Sequence, residues 1–148
     1  RQHILRIKGT GAFTTLILPW RKGQPRETTV ERQADRVTMT AGDEQITVNE
    51  RWYRYASPLK QVYTFFGDPA APEAFMDFGP VRIGGAGEMV IEGNTATLTC
   101  AGTPGTRSFS LPGAWTRKDP QAPLKQVDGA WVLDYPGGAA MTVVLERR

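Results

Sequence analysis

The chain has 148 residues, of which 40% are hydrophobic and 22% are charged, and its formal net charge is +3. This composition excludes a disordered chain, and the length is sufficient to bury a core without disulfide bonds. One Cys and one His exclude an intramolecular disulfide and are too few for a zinc or iron centre. We therefore expect no metal and no cofactor.

Short runs of alternating apolar and polar residues follow one another along the chain, which is the pattern of β-strands with one buried face. In chain order they cover residues 4–8, 13–18, 28–32, 37–40, 46–49, 51–55, 61–66, 75–78, 81–83, 89–91, 96–100, 124–127, 131–135 and 141–145. The run 28–32 is polar and predicts an edge strand.

Turn residues separate these runs and fix two hairpins. Gly93-Asn94 joins the runs that end at Ile91 and begin at Ala96, and Asp128-Gly129 joins the two runs beside it. Only residues 112–123 predict a long protruding loop. The spacing predicts an all-β fold, an antiparallel, jelly-roll-like β-sandwich of about 12–14 short strands, with residues 1–148 as one domain.

Catalytic chemistry has few candidate residues. His3 lies next to the N-terminus, where side chains are seldom held in place. Asp68, Glu73 and Asp77 lie in a Pro-rich stretch where carboxylates usually face water. Residues 84–87 are Gly-rich, but no helix follows them, so they predict a turn rather than a phosphate loop. We expect no catalytic residue.

Three clusters that combine aromatic and basic residues are the candidate ligand-binding sites, because rings stack on sugars and guanidinium groups bind carboxylate or sulfate. The residues are Trp20, Arg21, Lys22 and Arg26 in the first cluster, Trp52 and Arg54 in the second, and Trp115, Arg117 and Lys118 in the third. Within the run 51–55, alternation places Trp52 and Arg54 on one face and Arg51, Tyr53 and Tyr55 on the other, and one of these two faces must pack inward. Trp131 and Cys100 alternate with apolar neighbours and predict core positions.

The opening segment resembles the C-terminal β-sandwich region of heparinase II/III-like polysaccharide lyases. The residues that carry the resemblance are 4–9, Phe13, 16–23 and the meander 37–48. In that family a helical toroid carries the catalytic residues and β-sandwich domains follow it. No catalytic motif of the family matches here, so none is transferred.

The resemblance implies a non-catalytic accessory domain, the C-terminal part of a larger secreted or periplasmic bacterial lyase. Its partners would be the catalytic domain of the same polypeptide and, as the candidate ligand, an anionic polysaccharide. The alternatives are a structural or protein-interaction module that binds no glycan, and a small β-barrel or jelly-roll enzyme. We expect no nucleic-acid partner, because the basic excess is small. No apolar run approaches the roughly 20 residues of a membrane helix, so we expect no membrane partner.

Overall fold

A computed structural model of the chain describes residues 27–148 in full and, before them, the backbone of two short strands. Every regular element in these residues is a β-strand. The strands are β1 (His3–Arg6), β2 (Thr15–Leu18), β3 (Thr28–Arg32), β4 (Val37–Ala41), β5 (Glu44–Val48), β6 (Trp52–Ala56), β7 (Lys60–Phe65), β8 (Phe75–Asp77), β9 (Arg82–Gly84), β10 (Gly87–Glu92), β11 (Thr95–Cys100), β12 (Gly105–Ser110), β13 (Trp115–Arg117), β14 (Lys125–Val127), β15 (Ala130–Tyr135) and β16 (Met141–Arg147). The all-β prediction is confirmed, with sixteen strands in the described residues instead of 12–14.

Two antiparallel sheets form the sandwich. The large sheet has nine strands in the order β13-β16-β11-β10-β7-β6-β5-β4-β3, and the small sheet has five in the order β14-β15-β12-β9-β8. Strands β1 and β2 pair with each other in a separate antiparallel sheet. As predicted, β3 is an edge strand, and all its residues are exposed.

The core lies between the two sheets and is built by strict alternation along their strands. Every second residue of β11 and of β15 is buried, which places Cys100 and Trp131 inside as predicted. Both predicted hairpins are also present. Their turns adopt the backbone conformations that two-residue loops require, with φ of +57° at Gly93, +48° at Asp128 and +80° at Gly129.

The segment between Cys100 and β14 differs from the prediction. Strand β12 has no counterpart among the predicted strands, because Arg107 occupies one of its two buried positions and interrupts the apolar pattern. Within the predicted loop 112–123, Trp115–Arg117 forms β13 and pairs with β16 at the edge of the large sheet. The loop prediction is therefore wrong for those three residues.

Four connections between the sheets lie at one end of the sandwich, which we call the crossover end. They are the links β7–β8, β9–β10, β11–β12 and β15–β16. The strand registers place them together, because Gly87 pairs with both Phe65 and Cys100, and Cys100 pairs with Met141.

Arg107 holds two of these connections together. Its side chain is only 3% exposed. Nε donates a hydrogen bond of 2.7 Å to the carbonyl oxygen of Ala86, in the β9–β10 link, and Nη2 donates one of 2.6 Å to that of Thr103, in the β11–β12 link. Nη1 donates to the Thr106 carbonyl at 3.3 Å, and the guanidinium lies 5.4 Å from the Tyr135 ring.

Tyr135 extends this arrangement to the β15–β16 link. Its hydroxyl lies 3.1 Å from the carbonyl oxygens of both Gly138 and Ala139 and donates to them. Two glycines permit the close packing. A Cβ atom at Gly85 would lie 2.9 Å from the Arg107 side chain, and one at Gly137 would lie 2.7 Å from the ring of Pro104. Both glycines have positive φ, which disfavours any substitution.

The large sheet extends beyond the small one. Phe78, directly after the edge strand β8, packs against Trp52 and Tyr63, and no residue of β3–β5 belongs to the main core. Val48 is buried on the opposite face, because it pairs with Tyr53, whose side chain points away from that of Trp52. At β5 the buried apolar side chain therefore lies on the face of the large sheet that points away from the main core.

We expect Arg107→Met to lower the free energy of unfolding by about 3 kcal/mol, because the carbonyl oxygens of Ala86 and Thr103 lose a charged donor. Urea denaturation followed by circular dichroism measures the change. Arg36→Met is the matched control, since Arg36 is exposed and bonds to Gln33, and it should change stability by less than about 0.5 kcal/mol. A loss in Arg107→Met no larger than in the control would contradict this role.

A second prediction concerns the Cys100 thiol. Burial raises its pKa from 9.0 to about 11, and nearby Arg107 acts in the opposite direction. The unfolded thiol loses its proton near pH 9 while the native thiol keeps it. Its contribution to stability is therefore complete below pH 9 and is lost as the pH rises towards 11, by about 3 kcal/mol in all.

Urea denaturation of the wild type and of Cys100→Ala across this pH range measures the effect. Tyrosine and lysine side chains contribute equally to the pH dependence of stability in the two proteins, so their contributions cancel in the comparison. We expect a steeper loss of stability in the wild type, and parallel curves for the two proteins would disprove the effect.

Candidate functional site

The first predicted cluster, Trp20, Arg21, Lys22 and Arg26, lies outside the described residues, and its role stays a prediction. The same holds for residues 7–9, Phe13 and 19–23 of the segment that carries the family resemblance, whereas 4–6 and 16–18 lie in β1 and β2. Its last part, the meander 37–48, forms β4 and β5 as an antiparallel pair.

The second cluster contributes mainly to the core. The Trp52 side chain is 8% exposed, and its ring meets Phe78 edge to face at 5.7 Å. Arg54 lies on the same face of β6, is half-buried, and has its guanidinium 5.7 Å from the Tyr63 ring. Trp52 therefore offers little ring surface to a ligand, whereas Arg54 remains partly accessible.

The third cluster lies at the edge of the large sheet. Trp115 is 8% exposed, its Nε1 donates to the Pro112 carbonyl at 2.8 Å, and the Arg147 guanidinium lies 5.7 Å from its ring. Lys118 pairs with Glu146 at 3.1 Å, with both side chains largely exposed. Trp115 is thus fixed in place, and Lys118 has a partner on the outer surface.

An open cleft of about 540 Å³ lies where the edges of the two sheets meet, and we call it the edge cleft. Strand β13 borders it from the large sheet, β14 and β15 border it from the small sheet, and the loop 118–124 connects the two borders. Its lining residues are Ala114, Trp115, Thr116, Arg117, Pro120, Leu124, Lys125, Gln126, Trp131 and Arg148.

The lining of the edge cleft combines an apolar floor with positive charge. Trp131 and Leu124 are 7% and 1% exposed and form the floor together with Trp115. Three cations, Arg117, Lys125 and Arg148, line the cleft, and no Asp or Glu is among its described lining residues. The cleft therefore suits an anionic group carried on a partly apolar framework.

Arg117 has a structural contact as well as a place in the lining. Its Nη1 donates to the Ala122 carbonyl at 2.9 Å, which holds the loop 118–124 against β13. Of a guanidinium's five N–H bonds, this contact uses one and leaves others for a ligand. Lys125, on the exposed strand β14, and Arg148 are exposed, whereas Arg117 is partly buried.

Of the predicted residues, the structure brings Trp115 and Arg117 into the edge cleft and places Lys118 outside its lining. Sequence reasoning missed Lys125 and Arg148, and it assigned Trp131 to the core alone. The register of the predicted β14–β15 hairpin was the available signal, because it pairs Gln126 with Trp131 and Lys125 with the neighbouring Val132.

Other kinds of site have little support in the described residues. No group of three or more His, Cys, Asp or Glu side chains there is placed to hold a metal ion. Within the same part of the chain, no helix has the length and apolar character needed to span a membrane. Comparisons with protein-family models, with curated proteins and with solved structures found no match. The heparinase II/III-like resemblance therefore stays a prediction.

Proposed function

We propose that this chain is a non-catalytic β-sandwich domain that binds acidic polysaccharide in the edge cleft. The observation that carries the proposal is the combination of three cations and a tryptophan-lined floor in one cleft. Guanidinium and ammonium groups bind carboxylate and sulfate, and the exposed edges of the largely buried Trp115 and Trp131 add a small apolar contact for a sugar ring. A cleft of about 540 Å³ falls within the size range of known ligand sites.

The chemistry of the lining suits binding rather than turnover. The described lining residues supply hydrogen-bond donors and apolar surface, and none of them is a His, Cys, Asp or Glu. General acid–base catalysis requires a group that exchanges protons near the working pH. We therefore assign the cleft a role in holding a ligand for a neighbouring catalytic domain.

The resemblance of residues 4–23 and 37–48 supplies the larger context of this proposal. It points to a domain of a secreted or periplasmic heparinase II/III-like lyase from a bacterium, in which this sandwich packs on the catalytic domain of the same polypeptide. A second candidate is a protein-interaction module. Strand β3 favours it, because it lies at the edge of the large sheet with exposed side chains, and edge strands offer a surface to further strands.

Isothermal titration calorimetry with uronic-acid oligosaccharides tests the proposal. We expect binding that weakens as salt is added, because charge pairs at an open surface are screened. Neutral glucose oligosaccharides of equal length should bind much more weakly. Lys125→Ala should reduce the affinity for the acidic ligand about fivefold, the effect of losing roughly 1 kcal/mol from one exposed charge pair.

Lys118→Ala is the matched control, because it removes the same group from the nearby surface where Lys118 pairs with Glu146. We expect it to change the affinity less than twofold. Equal affinity for acidic and neutral oligosaccharides, or a folded chain that binds neither, would overturn the proposal. The second result would favour the protein-interaction module.

A further inference from the structure

Arg54 lies where the large sheet extends past the small one. It shares the inner face of β6 with Trp52, and its cross-strand neighbour on β7 is Tyr63. Phe78 covers Trp52 and Tyr63 from the edge of the small sheet. Arg54 therefore lies at the boundary of the core. One side of it faces the rings of the core, and the other side faces the part of the large sheet that the small sheet does not cover.

One nitrogen atom of Arg54, Nε, is buried without a hydrogen-bond acceptor among the residues that the structure describes. Among the described residues, no carboxylate forms an ion pair with its guanidinium. A buried donor without an acceptor is destabilising, so it marks a place where an acceptor is missing. Arg107 provides the contrast, because all three of its guanidinium nitrogens donate to carbonyl oxygens.

The neighbours of Arg54 on this face are neutral and polar. The registers place Thr47 next to Arg54 and Thr38 next to Thr47, and the two threonine hydroxyl oxygens lie 3.2 Å apart. On the other side, the side-chain oxygen of Gln61 accepts a hydrogen bond of 2.6 Å from the Tyr63 hydroxyl, which leaves its NH₂ group for other contacts. We call the surface formed by Thr38, Thr47, Arg54 and Gln61 the polar shelf.

The charges around the polar shelf favour an anion. The described carboxylate on the same face is that of Glu31, next to Thr38 on β3. Three strand spacings separate it from Arg54, which is about 14 Å. At that distance, across solvent, its interaction with the guanidinium is largely screened. The cation is therefore uncompensated where it meets the hydroxyl and amide groups of the shelf.

We propose that the polar shelf is a second binding site, which takes a hydroxylated carboxylic acid of the sugar-acid class. The carboxylate accepts two hydrogen bonds from the Nε and Nη2 edge of Arg54, the geometry in which arginine binds carboxylates most strongly. Thr38, Thr47 and Gln61 contact the hydroxyl groups of the same ligand. Because Nε is buried in the free chain, binding requires rotation of the half-buried Arg54 side chain, and the ligand then supplies the missing acceptor.

This proposal does not depend on the edge cleft. Four strands of the large sheet lie between β6 and β13, so the two sites are about 24 Å apart. Each site can therefore be tested while the other is altered. A Lys125→Ala variant should bind at the polar shelf as the wild type does.

Nuclear magnetic resonance of the ¹⁵N-labelled chain tests the polar shelf directly, because the Nε–Hε signal of Arg54 reports on the unpartnered atom. Titration with sodium glucuronate at constant ionic strength should shift this signal with a dissociation constant in the millimolar range. Glucose, which has the hydroxyl groups without the carboxylate, should leave it unchanged. Sodium acetate, which has the carboxylate alone, should bind more weakly than glucuronate.

Arg54→Lys keeps the charge but removes the two-pronged donor, and we expect it to weaken glucuronate binding about tenfold, as read from the backbone amides of β5 and β6. Arg51→Lys is the matched control, because the Arg51 guanidinium already pairs with Asp68. The glucuronate affinity of this variant should stay within twofold of that of the wild type. The proposal is wrong if the Arg54 signal does not move, if glucose moves it equally, or if Arg54→Lys binds as tightly as the wild type.

Discussion

The fold depends most on the hydrogen bonds that the Arg107 guanidinium donates to carbonyl oxygens in two separate connections between the sheets. A buried cation is costly, and here backbone dipoles stabilise it together with the Tyr135 ring. Because Ala86 and Thr103 belong to the β9–β10 and β11–β12 links, one side chain sets the relation between the sheets at the crossover end. Tyr135 fixes the β15–β16 link beside them.

The two candidate binding sites follow from how the sheets overlap. At one side the edges of both sheets meet, and Arg117 of β13 and Lys125 of β14 both line the edge cleft. At the other side the large sheet continues past β8, so its inner face changes from apolar at Trp52 to polar at Thr47.

The sequence predicted those parts of the fold in which local chemistry and tertiary structure agree. The Gly93-Asn94 and Asp128-Gly129 turns and the alternation in β11 and β15 were recognised because each signal lies within a few residues. Strand β12 was missed because its buried Arg107 is stabilised by residues distant in the chain. The same holds for the sites. Trp115 and Arg117 were recognised because they lie close together in the sequence. Lys125 and the missing partner of Arg54 could be recognised only in the assembled sheets.

Native-state hydrogen exchange tests most directly whether the crossover end is held as one unit. The Gly85 amide donates to the Ala74 carbonyl at 2.9 Å, and the amides of β12 pair with β9 and β15. We predict that these amides exchange only through global unfolding, with the same free energy of opening as the central hairpin β10–β11. Exchange of the Gly85 and β12 amides at a clearly lower free energy, while β10 and β11 stay protected, would contradict the account.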